Sequence, residues 1–429
     1  MIKPQNDKVN ALLKNVKLPK MIHVRQVFND EHIADLAAVL HEQLNRPEIK
    51  ATIRPGMSIA VTAGSRGIDN MPLILRETVV FLKTCGAEPF IIPAMGSHGG
   101  AVAEGQVALL KSLGVTEESI GCPIRATMEV DVLTRLSDGS PVYIDKYAHA
   151  ADGVVVVNRV KSHTGFRGRY ESGLFKMMTV GLGKQKGAEM THNRGRLRMG
   201  ETIELCGNAH LDCGKVLFGV ATIENSFDKT YKLAALTKEE IRSKEPEFLE
   251  IARNLLPRLL IENVDVLVVD RMGKNISGTG MDTNITKSYS WGYGISRDGR
   301  AKKIAVLDLT EESHGAAVGL GQADTSTYRL YQKMDPETTY PNVLTSGGTD
   351  GAKLPMIFDN QELAIKAAVK TAIGADKEHL KMIHIRDTLH IADIEISEAL
   401  LDEARKIPEL EILGKPEEMK FNENGNLFE

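Results

Sequence analysis

Short apolar runs alternate along this chain with longer stretches of helical spacing. Residues 57–62 (M-S-I-A-V-T) predict a strand, and residues 63–67 (A-G-S-R-G) a glycine-bearing turn. From 70 to 86, Leu73, Ile74, Val79, Val80 and Leu82 recur at mixed intervals of three and four, the spacing of one helix face. Residues 89–94 predict a second strand, 95–100 (M-G-S-H-G-G) a second glycine turn, and 101–113 a second helix that Gly114 closes. The run 153–158 (G-V-V-V-V-N) lacks polar alternation and predicts a strand buried on both faces. Further strands are expected at 215–222, 265–269 and 303–309, and helices at 360–373 and 397–406. Residues 237–260 are charged, amphipathic and helical in spacing, with interruptions expected at Pro246 and Pro257.

Strand, glycine turn and helix in succession form the pattern of βαβ units. The expected fold class is α/β: two α/β domains with largely parallel sheets and an active-site cleft between them. The boundary is placed near residue 262, giving an N-terminal domain over 1–262 and a C-terminal domain over 263–429. The polar tail beyond Gly414 is expected to be mobile.

Composition narrows the function classes. A length of 429 residues suits two or three domains, and 42% hydrophobic with 26% charged residues is ordinary for a globular chain. A net charge of -4 and only 5% aromatic residues argue against a nucleic-acid partner. No apolar run approaches the ~20 residues of a membrane helix. Residues 1–20 also lack the apolar core of a secretory signal. No membrane partner and a cytoplasmic setting are therefore expected. The cysteines Cys85, Cys122, Cys206 and Cys213 are few and irregularly spaced, which fits reduced thiols. Oligomeric state is not legible.

Ligands of parallel sheets gather at the carboxyl ends of strands. Three polar groups fall there: Ser65-Arg66, Ser97-His98 and Lys161-Ser162-His163. An imidazole titrates near neutrality, so His98 and His163 are candidate acid/base groups; two at two strand ends could flank one carbon. The plain alternative for each is a surface histidine making a local hydrogen bond. Between His163 and His192 the chain is rich in glycine and base, as expected for holding an anionic cofactor and a metal. Lys176 lies in G-L-F-K-M-M, an apolar setting that favours a neutral, nucleophilic amine, although a lysine snorkelling from a helix face would look the same. His192 follows sixteen residues later. Cys206, His210 and Cys213 form C-x3-H-x2-C, donors that suit zinc, but three ligands without a second pair favour free, buried cysteines. Lys274 and Asp282 lie in a polar glycine-rich loop, either binding carboxylate or hydroxyl groups or simply solvated. The chain has no P-loop, no dinucleotide fingerprint, no H-E-x-x-H and no G-x-S-x-G.

In order and spacing these residues resemble the nickel-dependent lactate racemase family, racemases and epimerases of 2-hydroxy acids. The resemblance rests on Arg66 in the first turn, His98 about thirty residues on, His163 about sixty-five beyond that, and the Lys176–His192 interval. It implies a nickel pincer nucleotide, a pyridinium mononucleotide that grips nickel through sulfur, carbon and sulfur. Lys176 would carry it through a thioamide and His192 would complete the coordination of nickel; Ser65 and Gly173 are added as cofactor contacts. The resemblance further implies that His98 and His163 exchange protons, that Arg66 orients the substrate carboxylate, and that cofactor-making and cofactor-loading proteins are partners. Lys274 and Asp282 are added as substrate contacts.

Three departures bear on the substrate. The His163–Lys176 interval is about three residues longer than in the lactate enzymes and contains Arg167 and Arg169; Ala63 stands where those enzymes have an acidic residue; and the loop at 273–284 differs from theirs. A sugar acid or other polar hydroxy acid is therefore expected rather than lactate. A reading of another class is a catalytically silent protein that binds an anionic metabolite or nucleotide.

Overall fold

The computed structural model describes residues 7–65, 67–289 and 298–429. They form two compact units: Asn29–Leu256, and a discontinuous unit that joins the segment ending at Phe28 to Pro257–Glu429. The second boundary thus falls a few residues before the expected 262, and residues 7–28 lie with the second unit rather than the first. The reason is strand β1 (Met21–Gln26), which has every other residue buried over its latter part. It pairs antiparallel with a strand late in the chain, from Met21 opposite Ser397 to Arg25 opposite Asp393.

In the first unit the strands are β2 (Ser58–Ala63), β3 (Glu88–Pro93), β4 (Val130–Arg135), β5 (Pro141–Asp145), β6 (Gly153–Arg159), β7 (Val216–Glu224) and β8 (Thr230–Thr237). Five of them form a sheet in the order β3-β2-β6-β7-β8, while β4 and β5 pair as a separate hairpin. The first four are parallel and β8 runs antiparallel on the edge. Val154 to Val157 are all buried, as a strand covered on both faces requires. The chain leaves β2 for β3 on one side and returns to β6 on the other. The switch point of the topology therefore lies between the carboxyl ends of β2 and β6, where such sheets open a ligand crevice.

The helix Met71–Thr84 starts with Pro72 in its first turn and buries Met71, Ile74, Leu75, Val79 and Leu82 against the core; Val80, read as part of that face, is exposed. The helix Lys238–Leu255 runs unbroken through Pro246, against the expected interruption, and stops just before Pro257. A capping box of Thr237 and Glu240 fixes its start. Its buried face, with Ile241, Phe248, Leu249 and Ala252, offsets the ~3 kcal/mol that an interior proline costs.

The second unit adds β9 (Val266–Met272), β10 (Lys303–Leu309), β11 (Thr325–Thr327), β12 (Met356–Phe358), β13 (Met382–Ile385), β14 (Asp393–Ser397) and β15 (Leu410–Ile412). Its sheet has the order β12-β11-β10-β9-β13-β14-β1-β15, parallel from β12 to β13 and antiparallel beyond. The tail expected to be mobile is docked: Phe421, Leu427 and Phe428 pack on the core beneath the helix Gln361–Thr371, and Leu427 N–H donates to Gln361 Oε1 at 2.7 Å. Apolar residues scattered in a polar stretch are enough to anchor it. Among the described residues no helix is long and apolar enough to cross a membrane.

Candidate functional site

Three turns lie side by side at the carboxyl edge of the first sheet, after β2, β3 and β6. They carry Ser65, His98 and His163. Arg66 lies outside the described residues. His98 reaches back to the neighbouring turn, with Nδ1 2.5 Å from Ser65 Oγ. Because Nδ1 is engaged, a proton passed between His98 and a substrate must travel through Nε2.

His163 is held differently. Its Nδ1 accepts the Gly165 N–H at 2.9 Å, so the neutral ring carries its hydrogen on Nε2. The ring also lies against Phe166, with centroids 4.3 Å apart. Glu171, its side chain wholly enclosed, gathers this turn: it accepts from Ser162 Oγ at 3.0 Å, His163 N–H at 2.7 Å and Arg253 at 2.6 Å. Arg167 donates to the carbonyls of His163 and Phe166 and faces Glu171, and Arg169 faces Glu204 at 3.6 Å. These two arginines, read from sequence as a sign of a more oxygenated substrate, thus have partners within the protein.

The segment bearing Lys176 crosses over the same edge. Asn158, at the end of β6, donates from Nδ2 to Gly173 O at 2.8 Å. A Cβ on Gly64 would sit 3.2 Å from Met177 Cε, and one on Gly96 3.1 Å from Val180 Cγ1. The glycines after β2 and β3 therefore let this segment lie close on the turns. Lys176 ends the short helix Leu174–Lys176, after which the chain widens into a π-helical turn, Met177–Gly181. Such turns are rare and frequent at functional sites. The first N–H groups of the short helix, at Leu174 and Phe175, are capped by Glu245 from the helix Lys238–Leu255, at 3.1 and 3.3 Å. A side chain on Gly173 would collide with that carboxylate. The bare Cα at Gly173 is used by Glu245. Burial pushes the Glu245 carboxyl up to about 8, against the pull of the two N–H groups.

His192 lies in the last turn of the helix Lys184–Asn193. Its Nδ1 is buried and has no hydrogen-bond partner among the described residues. Burial lowers its pKa, and the positive charges of Lys176 and Arg196 lower it further, so the ring is kept neutral. That orphaned nitrogen is the form in which imidazole ligates a metal. His98, His163, Lys176 and His192 all belong to the first unit, and the charge of Lys176 acts on His192.

The remaining expected residues make the following contacts within their own units. Lys274 and Asp282 belong to the second unit, at the carboxyl end of β9. Lys274 Nζ donates to Gly278 O at 2.9 Å, and Asp282 accepts from Asn284 N–H at 2.8 Å while its own N–H meets Thr388. Cys206 and His210 are buried on the helix Met199–Asp212, and Cys213, expected to be buried, is exposed at its end. Burial raises the Cys206 thiol to about 11 and lowers His210 to about 4. Among the described residues no group of three or more His, Cys, Asp or Glu is placed to hold a metal ion, which removes the zinc reading.

Sequence reasoning missed Glu171 and Glu245, because Arg253, which pairs with Glu171, and the N–H groups that Glu245 caps lie seventy or more residues away, where no local pattern marks them.

No protein-family model matches this chain, and no curated protein matches it. Among solved structures it is similar to a structural-genomics protein from Thermotoga maritima, at 14% identity over 63% of this chain and 68% of that one, with a TM-score of 0.45. It is also similar to the lactate racemase apoprotein from Thermoanaerobacterium thermosaccharolyticum, at 14% identity over 86% of this chain and 88% of that one, with a TM-score of 0.47.

Proposed function

We propose that this protein inverts the C2 configuration of a 2-hydroxy acid, with a nickel pincer nucleotide carried on Lys176. The observation that carries the reading is the convergence, within one unit, of the Ser65, His98 and His163 turns beneath the segment that bears Lys176. The residues present fit the group. His192 offers a neutral imidazole whose buried Nδ1 has no hydrogen-bond partner among the described residues, and the charge of Lys176 acts on it. Lys176 would hold the cofactor by its Nζ and His192 would ligate the metal, a soft sulfur site with one imidazole suiting nickel. When bound, the cofactor supplies an acceptor and donor of hydride at C2, so the weakly acidic hydrogen there need not leave as a proton.

The protein's own groups then manage position and the accompanying proton. His98 Nε2 takes the hydroxyl proton, while the Ser65 hydroxyl adjusts to either protonation state of the ring because it can donate or accept at Nδ1. His163 presents Nε2–H as a donor toward the substrate oxygen, fixed in that tautomer by Gly165. With Gly165 N–H on Nδ1, neutral His163 has no acceptor nitrogen at Nε2, so for either enantiomer His98 both takes and returns the hydroxyl proton while His163 holds the oxygen by its hydrogen bond, a narrower role than the proton exchange expected of it. Arg66, next to Ser65 in sequence, is the group assigned to the substrate carboxylate. With Arg167 and Arg169 engaged in the loop, the breadth of accepted substrates is a matter for a panel.

The test uses protein produced together with the cofactor-making enzymes and single enantiomers of 2-hydroxy and aldonic acids deuterated at C2. Inversion with the deuterium retained at C2 is expected, because hydride return does not mix with solvent. Loss of the label to water, or no inversion of any member of the panel, contradicts the proposal.

A further inference from the structure

A buried polar cluster that no step above uses joins the end of β3 to the start of the helix Lys184–Asn193. Lys184, Asp145 and Gln106 are each fully enclosed. The Lys184 ammonium pairs with Asp145 at 3.1 Å, donates to Gln106 Oε1 at 3.2 Å and donates to Pro93 O, the last residue of β3. The Gln106 amide nitrogen donates onward to Gly96 O at 2.9 Å and His98 O at 3.2 Å. An amide oxygen that faces an ammonium cannot trade places with its NH2 without setting donor against donor. Lys184 therefore fixes the orientation of Gln106, and only in that orientation do the two N–H groups meet the two carbonyls of the His98 turn.

Two further observations tie the turn to this cluster. Gly99 has φ +66, and a Cβ there would lie 2.7 Å from Gln106 N, so the turn is pressed directly onto the helix that carries Gln106. Lys184 has φ +52, a left-handed backbone that a residue with a Cβ keeps only where its surroundings demand it. Asp145 is also spoken for, its other oxygen capping Tyr147 and Ala148 N–H groups at 2.8 and 3.0 Å.

We propose that Lys184 is a positioning residue: through Gln106 it sets the turn that aims His98, and from the same point it starts the helix that carries His192. One ammonium thus keeps the acid/base histidine and the metal histidine in register. The proposal rests on the roles given to those two histidines above, while the geometry it describes can be read without any turnover.

Replacing Lys184 alone would leave Asp145 buried and unpaired, which endangers folding. Gln106→Met is the cleaner variant, since it removes the amide donors and leaves the ion pair intact. Gln106→Glu, which keeps an oxygen for Lys184 but loses the NH2, carries the same expectation and replaces it if Gln106→Met melts below the assay temperature. The first readout is the ring 1H–15N spectrum of the full-length protein, with His98 assigned by its loss in His98→Ala. Broadened or doubled His98 signals are expected, with His163 unchanged because Glu171 holds its turn separately. The second readout is kinetic: in cofactor-loaded protein kcat should fall about 10²-fold, as misplacement of a reacting group does, with KM within about twofold. An unchanged His98 spectrum in a folded variant overturns the positioning role, whatever the activity. If wild-type protein shows no inversion, the proposed reaction falls, and the spectrum still decides this inference.

Discussion

The two histidines at the sheet edge differ in a way that their residue type does not reveal. The Gly165 N–H occupies His163 Nδ1 and commits that ring to the Nε2–H tautomer, whereas the Ser65 hydroxyl at His98 can serve either tautomer or the cation. Ring 15N spectra at pH 8 should therefore show His163 with an acceptor-type Nδ1 and a protonated Nε2. A proton on Nδ1 instead would remove its assignment as the ready donor. That both histidines stand in turns after apolar strands was legible in sequence, because a strand buried on both faces leaves an unbroken apolar run ahead of each turn. Their division of labour was not, because it depends on one backbone N–H and one hydroxyl that no pattern marks.

At the scale of elements, the segment carrying Lys176 depends on Glu245, whose partners are backbone N–H groups about seventy residues earlier. Strands and helices here were readable because burial on two faces or one leaves a period in the sequence. Pro246 misled because the buried face of the helix Lys238–Leu255 outweighs the local cost of proline. The Glu245 carboxyl is raised to about 8 by burial, so the folded state holds its proton more tightly than the unfolded chain. The associated stability is present at low pH and is lost as pH rises from the ordinary carboxyl range through about 8. Glu245→Gln, which cannot ionise, should melt close to wild type at pH 5 and above it at pH 9. Parallel melting curves at both pH values would mean that the carboxyl does not titrate as its burial requires.

For the whole molecule, the sequence indicated two α/β units, but not that the first strand belongs with the last ones. That pairing joins residues at opposite ends of the chain, and a strand of six residues carries no address. The same sheet holds His384 between Asp270 at 2.6 Å and Glu395 at 2.7 Å. Burial alone would lower its pKa, but the two carboxylates outweigh that and raise it to about 9. This raised value means that the contribution to stability is complete below about 6.5, the unfolded value, and is lost as pH rises through about 9. Urea melts of wild type against His384→Gln should show their widest gap at pH 6 and a much smaller one at pH 10. A gap independent of pH would assign His384 to packing alone.

The central claim is that Lys176 carries the group on which the reaction depends. Peptide mass mapping of protein made together with the cofactor-making enzymes tests this most directly. The account predicts a covalent adduct on the peptide containing Lys176, absent from Lys176→Ala together with all inversion activity. A fully active preparation whose Lys176 peptide is unmodified would contradict it.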